Sequence, residues 1–261
     1  MALIVPDYYK DFKCIADKCI HSCCRGWEID IDPGSMCRFK GYDDITRYIK
    51  DGSFVLDKDG NCPFLRSDGL CSMILKYGED MLCDICTDHP RFRNYIDDDE
   101  YMGIGLCCEE ACRLIIDREE PFALIPAVKL PDEITAVQER DSHISQYIEM
   151  LCPDDISSPE RADEYMKLER LDEEWTIMLS ELRRNAVSSS SRDEYITAND
   201  KRFENLMIYF LYRHPGNIFF ACESVRLIAE LCISSDKSLY EVARMYSSEI
   251  EYSDVNMEYF E

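Results

Sequence analysis

Cys14-Ile15-Ala16-Asp17-Lys18-Cys19-Ile20-His21-Ser22-Cys23-Cys24 sets four thiols within eleven residues. Thiolates bind soft or borderline metals, and ligands two to four residues apart can point inward from one turn while distant clusters close the cage from another side. Two such clusters follow. Cys62-x8-Cys71 runs on to Cys83-x2-Cys86, and Cys107-Cys108-x3-Cys112 comes last. Twelve of the fifteen cysteines lie between Cys14 and Cys112, with only Cys152, Cys222 and Cys232 beyond. One Cys-x2-Cys would be a weak signal, but clustering of this density points to metal and places the chemistry in the first half.

The surrounding chain narrows the setting. Its 261 residues can bury a sizeable core in one large domain or two modest ones. Asp and Glu number 53 against 29 Lys and Arg, a net charge of −24 that repels polyphosphate and argues against nucleic acid as a partner. The longest apolar runs, such as Leu206 to Tyr212, fall short of the roughly 20 residues of a membrane span, so no membrane partner is expected. The start, Met1-Ala2-Leu3-Ile4-Val5-Pro6-Asp7, has neither the basic region nor the long apolar stretch of a secretory signal. The expectation is a cytoplasmic protein with reduced thiols, in which a disulfide framework is the weaker explanation of so many cysteines.

The expected fold is mainly α, with an irregular cysteine-rich metal-binding N-terminal half packed on a helical C-terminal half. The boundary is drawn at Pro121, giving residues 1–120 and 121–261. In the first part, Trp27 to Asp32 alternates apolar and acidic residues like a short half-buried strand stopped by Pro33-Gly34. Turns around Asp59-Gly60 and Asp68-Gly69 should bring Cys62 and Cys71 close. Cys108 to Ile116 reads as a short helix, and Asp97-Asp98-Asp99-Glu100 as a solvated loop. In the second part a short helix lies near Ile134 to Leu151. Ser158-Pro159 opens a long amphipathic helix carrying Leu168, Leu171, Trp175, Met178 and Leu182, a stripe read as plain core. Ser188 to Ser191 reads as a linker. Phe203 to Arg213 and Phe219 to Ile233 are further helices, and Ser238-x2-Glu241 has capping-box spacing for a last one through about Ser248. No glycine-rich strand-to-helix turn of a nucleotide-binding unit occurs.

Spacing alone leaves the metal open, because four thiolates satisfy tetrahedral zinc as well as iron in a cubane cluster. Zinc sites stapling a loop-rich half are the structural alternative. The Cys-x3-Cys-x2-Cys of radical enzymes is absent, since Cys24 follows Cys23 directly. His89 and His21 stand where either a ligand or a turn cap fits, and neither enters the expected ligand set.

The order Phe12-Lys13-Cys14, Cys19, Cys23-Cys24 and Trp27, then Cys62-Pro63-Phe64-Leu65, Asp68-Gly69-Leu70-Cys71, Cys83-x2-Cys86 and His89-Pro90-Arg91, resembles the flagellin lysine-N-methylases, the FliB-like proteins. Cys108-Glu109-Glu110-Ala111-Cys112-Arg113-Leu114 looks like that family's cysteine followed by Pro-Glu-Ala-Ala-Arg-Leu. Phe203-Glu204-Asn205 through Tyr209 to Arg213 is similar to its later helix. The resemblance implies methyl transfer from S-adenosylmethionine to surface lysines of flagellin by a protein carrying a [4Fe-4S] cluster, and a kinship with cysteine-rich zinc- or iron-chelating domains. It carries ligation to Cys14, Cys19, Cys23, Cys24, Cys62, Cys71, Cys83, Cys86 and Cys108, and leaves Cys37, Cys107 and Cys112 as extras. Nine candidates exceed the four thiolates of one cubane, so some are structural or a second metal site exists. The resemblance names no catalytic residue. The alternatives are a zinc-binding interaction module without methyltransferase activity and an iron–sulfur redox protein.

Overall fold

The apolar block at 203–213 folds as the helix Asp200–Arg213, in which every residue from Asn205 to Arg213 is buried. Its neighbour, the helix Ile218–Ser235, is buried without interruption from Phe220 to Cys232. Helices apolar on all sides belong in the centre of a domain, and these two pack on each other. Around them lie Glu109–Ile116, Asp132–Gln138, Ile144–Leu151, Glu173–Arg184, Ser189–Ala198 and Leu239–Tyr246. The computed structural model describes residues 2–154 and 156–260.

The chain divides into two compact units, 1–12 with 92–261 and 13–91. Pro121, where the boundary is expected, lies inside the larger unit. In the structure the helix Glu109–Ile116 packs on Asp200–Arg213 and on Leu239–Tyr246, within the larger unit. The fold as a whole is mainly α, as expected.

Capping explains several helix starts. Ser238 accepts the Glu241 amide while Glu241 accepts the Ser238 amide, the expected capping box of Leu239–Tyr246. Ser188 accepts from the Ser191 amide and starts the helix Ser189–Ala198, so the serine run is a helix cap and first turn where a linker was expected. The expected long helix after Ser158-Pro159 is two helices. Ser158–Tyr165 ends early, and Asp172 caps Glu173–Arg184 by accepting from the Glu174 amide. Trp175, Met178 and Leu182 are buried there as the stripe required, whereas Leu168 and Leu171 fall in the connection. The single helix expected over 134–151 is likewise a pair.

A four-stranded sheet, missed in the sequence, belongs to the same unit. Its order is Arg91–Ile96, Asp99–Ile104, Leu3–Pro6, Leu124–Ile125. Leu3–Pro6 runs parallel to Asp99–Ile104, with Leu3 opposite Glu100, and antiparallel to Leu124–Ile125. The acidic run at 97–100 supplies the turn between two strands, with Asp97 at φ +53°.

Two buried polar networks brace this unit. Arg161, fully buried, reaches Asp154 at 2.7 Å, Glu230 at 3.1 Å and Glu223. Arg226 pairs with Glu223 at 3.0 Å and Arg192 with Glu230 at 3.3 Å. The second network centres on Glu251, at the end of the π-helical turn Ser247–Glu251. Its carboxylate accepts from Tyr209 Oη at 2.9 Å and lies 2.8 Å from His214 Nε2 and 3.3 Å from Arg213 Nε.

The smaller unit has a core of nine buried residues, Ile29, Ile31, Phe39, Ile45, Phe54, Cys62, Phe64, Met73 and Cys83. The alternation at 27–32 is real, with Ile29 and Ile31 buried while Glu28 and Asp30 are exposed. The segment is not a strand, however. It makes one isolated bridge, Asp30 to Ser53, beside the hairpin Ile49–Lys50 and Ser53–Phe54. Pro33 opens the helix Pro33–Arg38, capped by Asp32 accepting from the Ser35 amide at 2.7 Å. Among the described residues no helix is long and apolar enough to cross a membrane.

Candidate metal centre

Eight of the nine thiols expected as ligands lie in the unit 13–91, and Cys108 lies in the other. Local turns explain how five of the eight converge. Gly69, at φ +80°, lets the chain reverse so that Ser72 donates to the Phe64 carbonyl at 2.8 Å and Leu65 bridges Cys71. Cys62 joins Cys24 through a backbone hydrogen bond of 2.8 Å. Cys83 and Cys86 sit on one helical turn with their sulfurs 3.4 Å apart.

The electrostatics report the same neighbourhood. Burial pushes the Cys62 thiol up to about 12, with Cys24, Cys71 and Cys83 near enough for their charge to add to it. Burial also raises Cys71, which feels Cys24 and Cys83. The hydrogen bond between Cys83 and Cys86 lowers the first and raises the second. Cys24 is lowered to about 7 by a hydrogen bond from Cys23, against its burial and with help from Ser22 and Arg25.

The other expected ligands stand differently. Cys14 and Cys23 are exposed and Cys19 is half-buried, its thiol donating to the His21 carbonyl at 3.2 Å. Cys108 is the N-cap of Glu109–Ile116 and packs on the helical core. Of the extras, Cys37 is exposed, whereas Cys112 is fully buried and donates to the Leu106 carbonyl at 2.9 Å. His89 packs on Trp27 with ring centroids 5.3 Å apart, and burial lowers it to about 4, which leaves it neutral at pH 7.

Among the described residues no group of three or more His, Cys, Asp or Glu side chains is placed to hold a metal ion. In kind, Cys24, Cys62, Cys71, Cys83 and Cys86 offer the soft sulfur donors that a thiophilic metal takes, and they belong to or pack on the apolar core of the unit. Sequence reasoning missed the wall beside this cluster. Arg47, Tyr48, Val55 and Asp57 line a groove that also contains Cys62.

The chain is similar to lysine-N-methylases. Over 134 residues, 46% of this chain, it is 26% identical to the lysine-N-methylase of Salmonella typhimurium and 25% identical to that of Salmonella choleraesuis. It is 26% identical over the same length to the flagellar biosynthetic protein FliU of Salmonella muenchen. The match spans 79% of FliU but only 33% of each lysine-N-methylase. No family model matches the chain, and no solved structure matches it. At 25–26% identity these relatives are distant, and the matched stretch covers about a third of each lysine-N-methylase.

Proposed function

We propose that this protein transfers a methyl group from S-adenosylmethionine to lysine side chains of flagellin, and that its unit 13–91 carries a [4Fe-4S] cluster. The observation that carries the reading is the match over 134 residues to proteins named lysine-N-methylase. It is supported by the gathering of thiols around Cys83 and Cys86 and by a net charge of −24, which draws a lysine-bearing surface toward the chain.

Cys24, Cys62, Cys71, Cys83 and Cys86 are the residues that would hold the group. When bound, such a group supplies a Lewis-acidic metal and a cross-link between loops that share only a small core. The remaining chemistry falls to the polypeptide. Direct displacement requires a neutral amine in line with the donor sulfonium, and lysine keeps its proton up to roughly pH 10.4. The protein must therefore hold the lysine amine where a carboxylate or a water-poor wall strips that proton, in an orientation that excludes competing nucleophiles.

One distance favours a second reading for the metal. Two thiolates on one tetrahedral zinc stand about 3.8 Å apart, from Zn–S bonds of about 2.3 Å. The cysteines of a cubane sit on different irons and stand farther apart. Cys83 and Cys86, 3.4 Å apart as hydrogen-bonded thiols, need to part only slightly to share one ion. In this reading zinc staples the unit and contributes no chemistry to methyl transfer.

The test is incubation of the purified chain with methyl-labelled S-adenosylmethionine and flagellin, followed by mass spectrometry of flagellin peptides. Methylated lysines that depend on the chain are expected. Unmodified flagellin from chain loaded with iron and sulfide would overturn the activity.

A further inference from the structure

A groove of about 450 Å³ opens beside Cys62, within the size range of small-ligand sites. Its walls differ in character. Val55, Leu56 and Leu65 form an apolar side, with Val55 48% exposed although its backbone is tied to Tyr48 by a 2.8 Å hydrogen bond. Arg47, Tyr48 and Asp57 form the polar side. The Arg47 guanidinium lies 4.6 Å from the Tyr48 ring centroid and donates to its hydroxyl at 2.9 Å, while the ring packs on Phe64 with centroids 5.6 Å apart. The cation is thereby held over a fixed phenol, without a carboxylate.

Asp57 is equally fixed. Its Oδ1 accepts the Asp59 and Asn61 amides at 2.8 and 2.9 Å, leaving Oδ2 with the Asn61 side-chain amide alone at 3.1 Å. Among the described residues no ion pair joins Arg47 to Asp57 or to any other acid. One groove therefore presents a positive and a negative group, each immobilised by its own neighbours and neither neutralised by the other. A zwitterion complements that pattern, carboxylate to Arg47 and ammonium to Asp57, and the apolar side leaves room for a flat, weakly polar body.

We infer that this groove binds a zwitterionic amino acid bearing a planar group, the class that includes S-adenosylmethionine, so that the donor site adjoins the thiol cluster. The inference rests on the methyltransferase reading for the identity of the ligand and on the groove for its location.

Isothermal titration of the full chain with S-adenosylhomocysteine tests it. One equivalent should bind, and Arg47→Ala should weaken binding by about tenfold or more. Val55→Trp, at a half-exposed position where added bulk is borne by solvent, should abolish binding by filling the groove. Failure of the unsubstituted chain to bind, or unchanged affinity in both variants with far-UV circular dichroism intact, overturns the site. Methyl transfer to flagellin is read separately. Binding lost in both variants by a chain that methylates nothing keeps the groove and removes the methyltransferase reading. Transfer that persists unchanged in both variants does the reverse.

Discussion

The sulfurs of Cys83 and Cys86 stand 3.4 Å apart on a single helical turn of the unit 13–91. Cys24 and Cys62 lie near enough to raise Cys86, and Cys83 near enough to raise Cys62 and Cys71, which makes the pair the hub of the cluster.

Replacing Cys83 by serine should therefore release metal from the purified protein, and Cys86→Ser should do the same, because each removes a soft donor from the hub. Cys222→Ala, in the buried helix Ile218–Ser235 of the other unit, should leave the metal-to-protein ratio unchanged. Elemental analysis of the three variants checks this. Full metal content in both hub variants would remove these thiols from the site.

The Glu251 carboxylate is disfavoured by burial, yet Arg213 and His214 outweigh that cost and hold it below the ordinary value of 4.5. A depressed carboxylate contributes stability that is fully present above its unfolded value and is lost as pH falls through its folded value. The melting temperature of the helical unit should be insensitive to this group at neutral pH and fall once pH drops below about 4.5. Glu251→Gln should remove that acid dependence and cost about 3 kcal/mol at pH 7, since it leaves Arg213 buried without its partner. Thermal unfolding across pH, followed by circular dichroism, reads both effects. A variant as stable as the unsubstituted chain at pH 7 would contradict the assignment.

Gly105 faces the same network. A β-carbon there would collide with the Tyr252 hydroxyl and lie 2.8 Å from Arg213 Nη1. Gly105→Ala should destabilise by about 2 kcal/mol through overpacking, measured by urea unfolding. An unchanged midpoint would mean that the network yields without cost.

Arg161 balances Asp154, Glu223 and Glu230 from a fully buried position. Arg161→Met should cost about 4 kcal/mol, because the carboxylates lose their central cation. Denaturant unfolding gives the value, and a cost within about 0.5 kcal/mol of zero, typical of surface changes, would show that Arg192 and Arg226 suffice.

Much of the helical unit was legible because its signals are local. The Ser238–Glu241 box and the stop at His214-Pro215-Gly216 lie within a few residues of the ends they define. The sheet was not, since Leu3–Pro6 pairs with a strand nearly a hundred residues away and carries no alternation of its own. Ser188 misled because a serine run suits both a linker and a cap, and only the hydrogen bond to the Ser191 amide decides between them. At the site, spacing pointed to the thiols of the unit 13–91 but not to the groove. Arg47, Val55 and Asp57 are ordinary surface residues until the hairpin and the Asp57–Asn61 turn set them around one groove. The buried ions left a fainter signal, with Glu223, Arg226 and Glu230 standing in an otherwise apolar helix at spacings of three, four and seven.

The central claim, that the thiols of residues 13–91 hold an iron–sulfur cluster, is tested most directly by the absorption spectrum of anaerobically purified protein with its iron, sulfide and zinc content. A brown protein with a broad band near roughly 400 nm and matching iron and sulfide is the predicted result. A colourless protein that takes up neither iron nor sulfide on anaerobic reconstitution would contradict it, and stoichiometric zinc in that protein would establish the single-ion staple in its place.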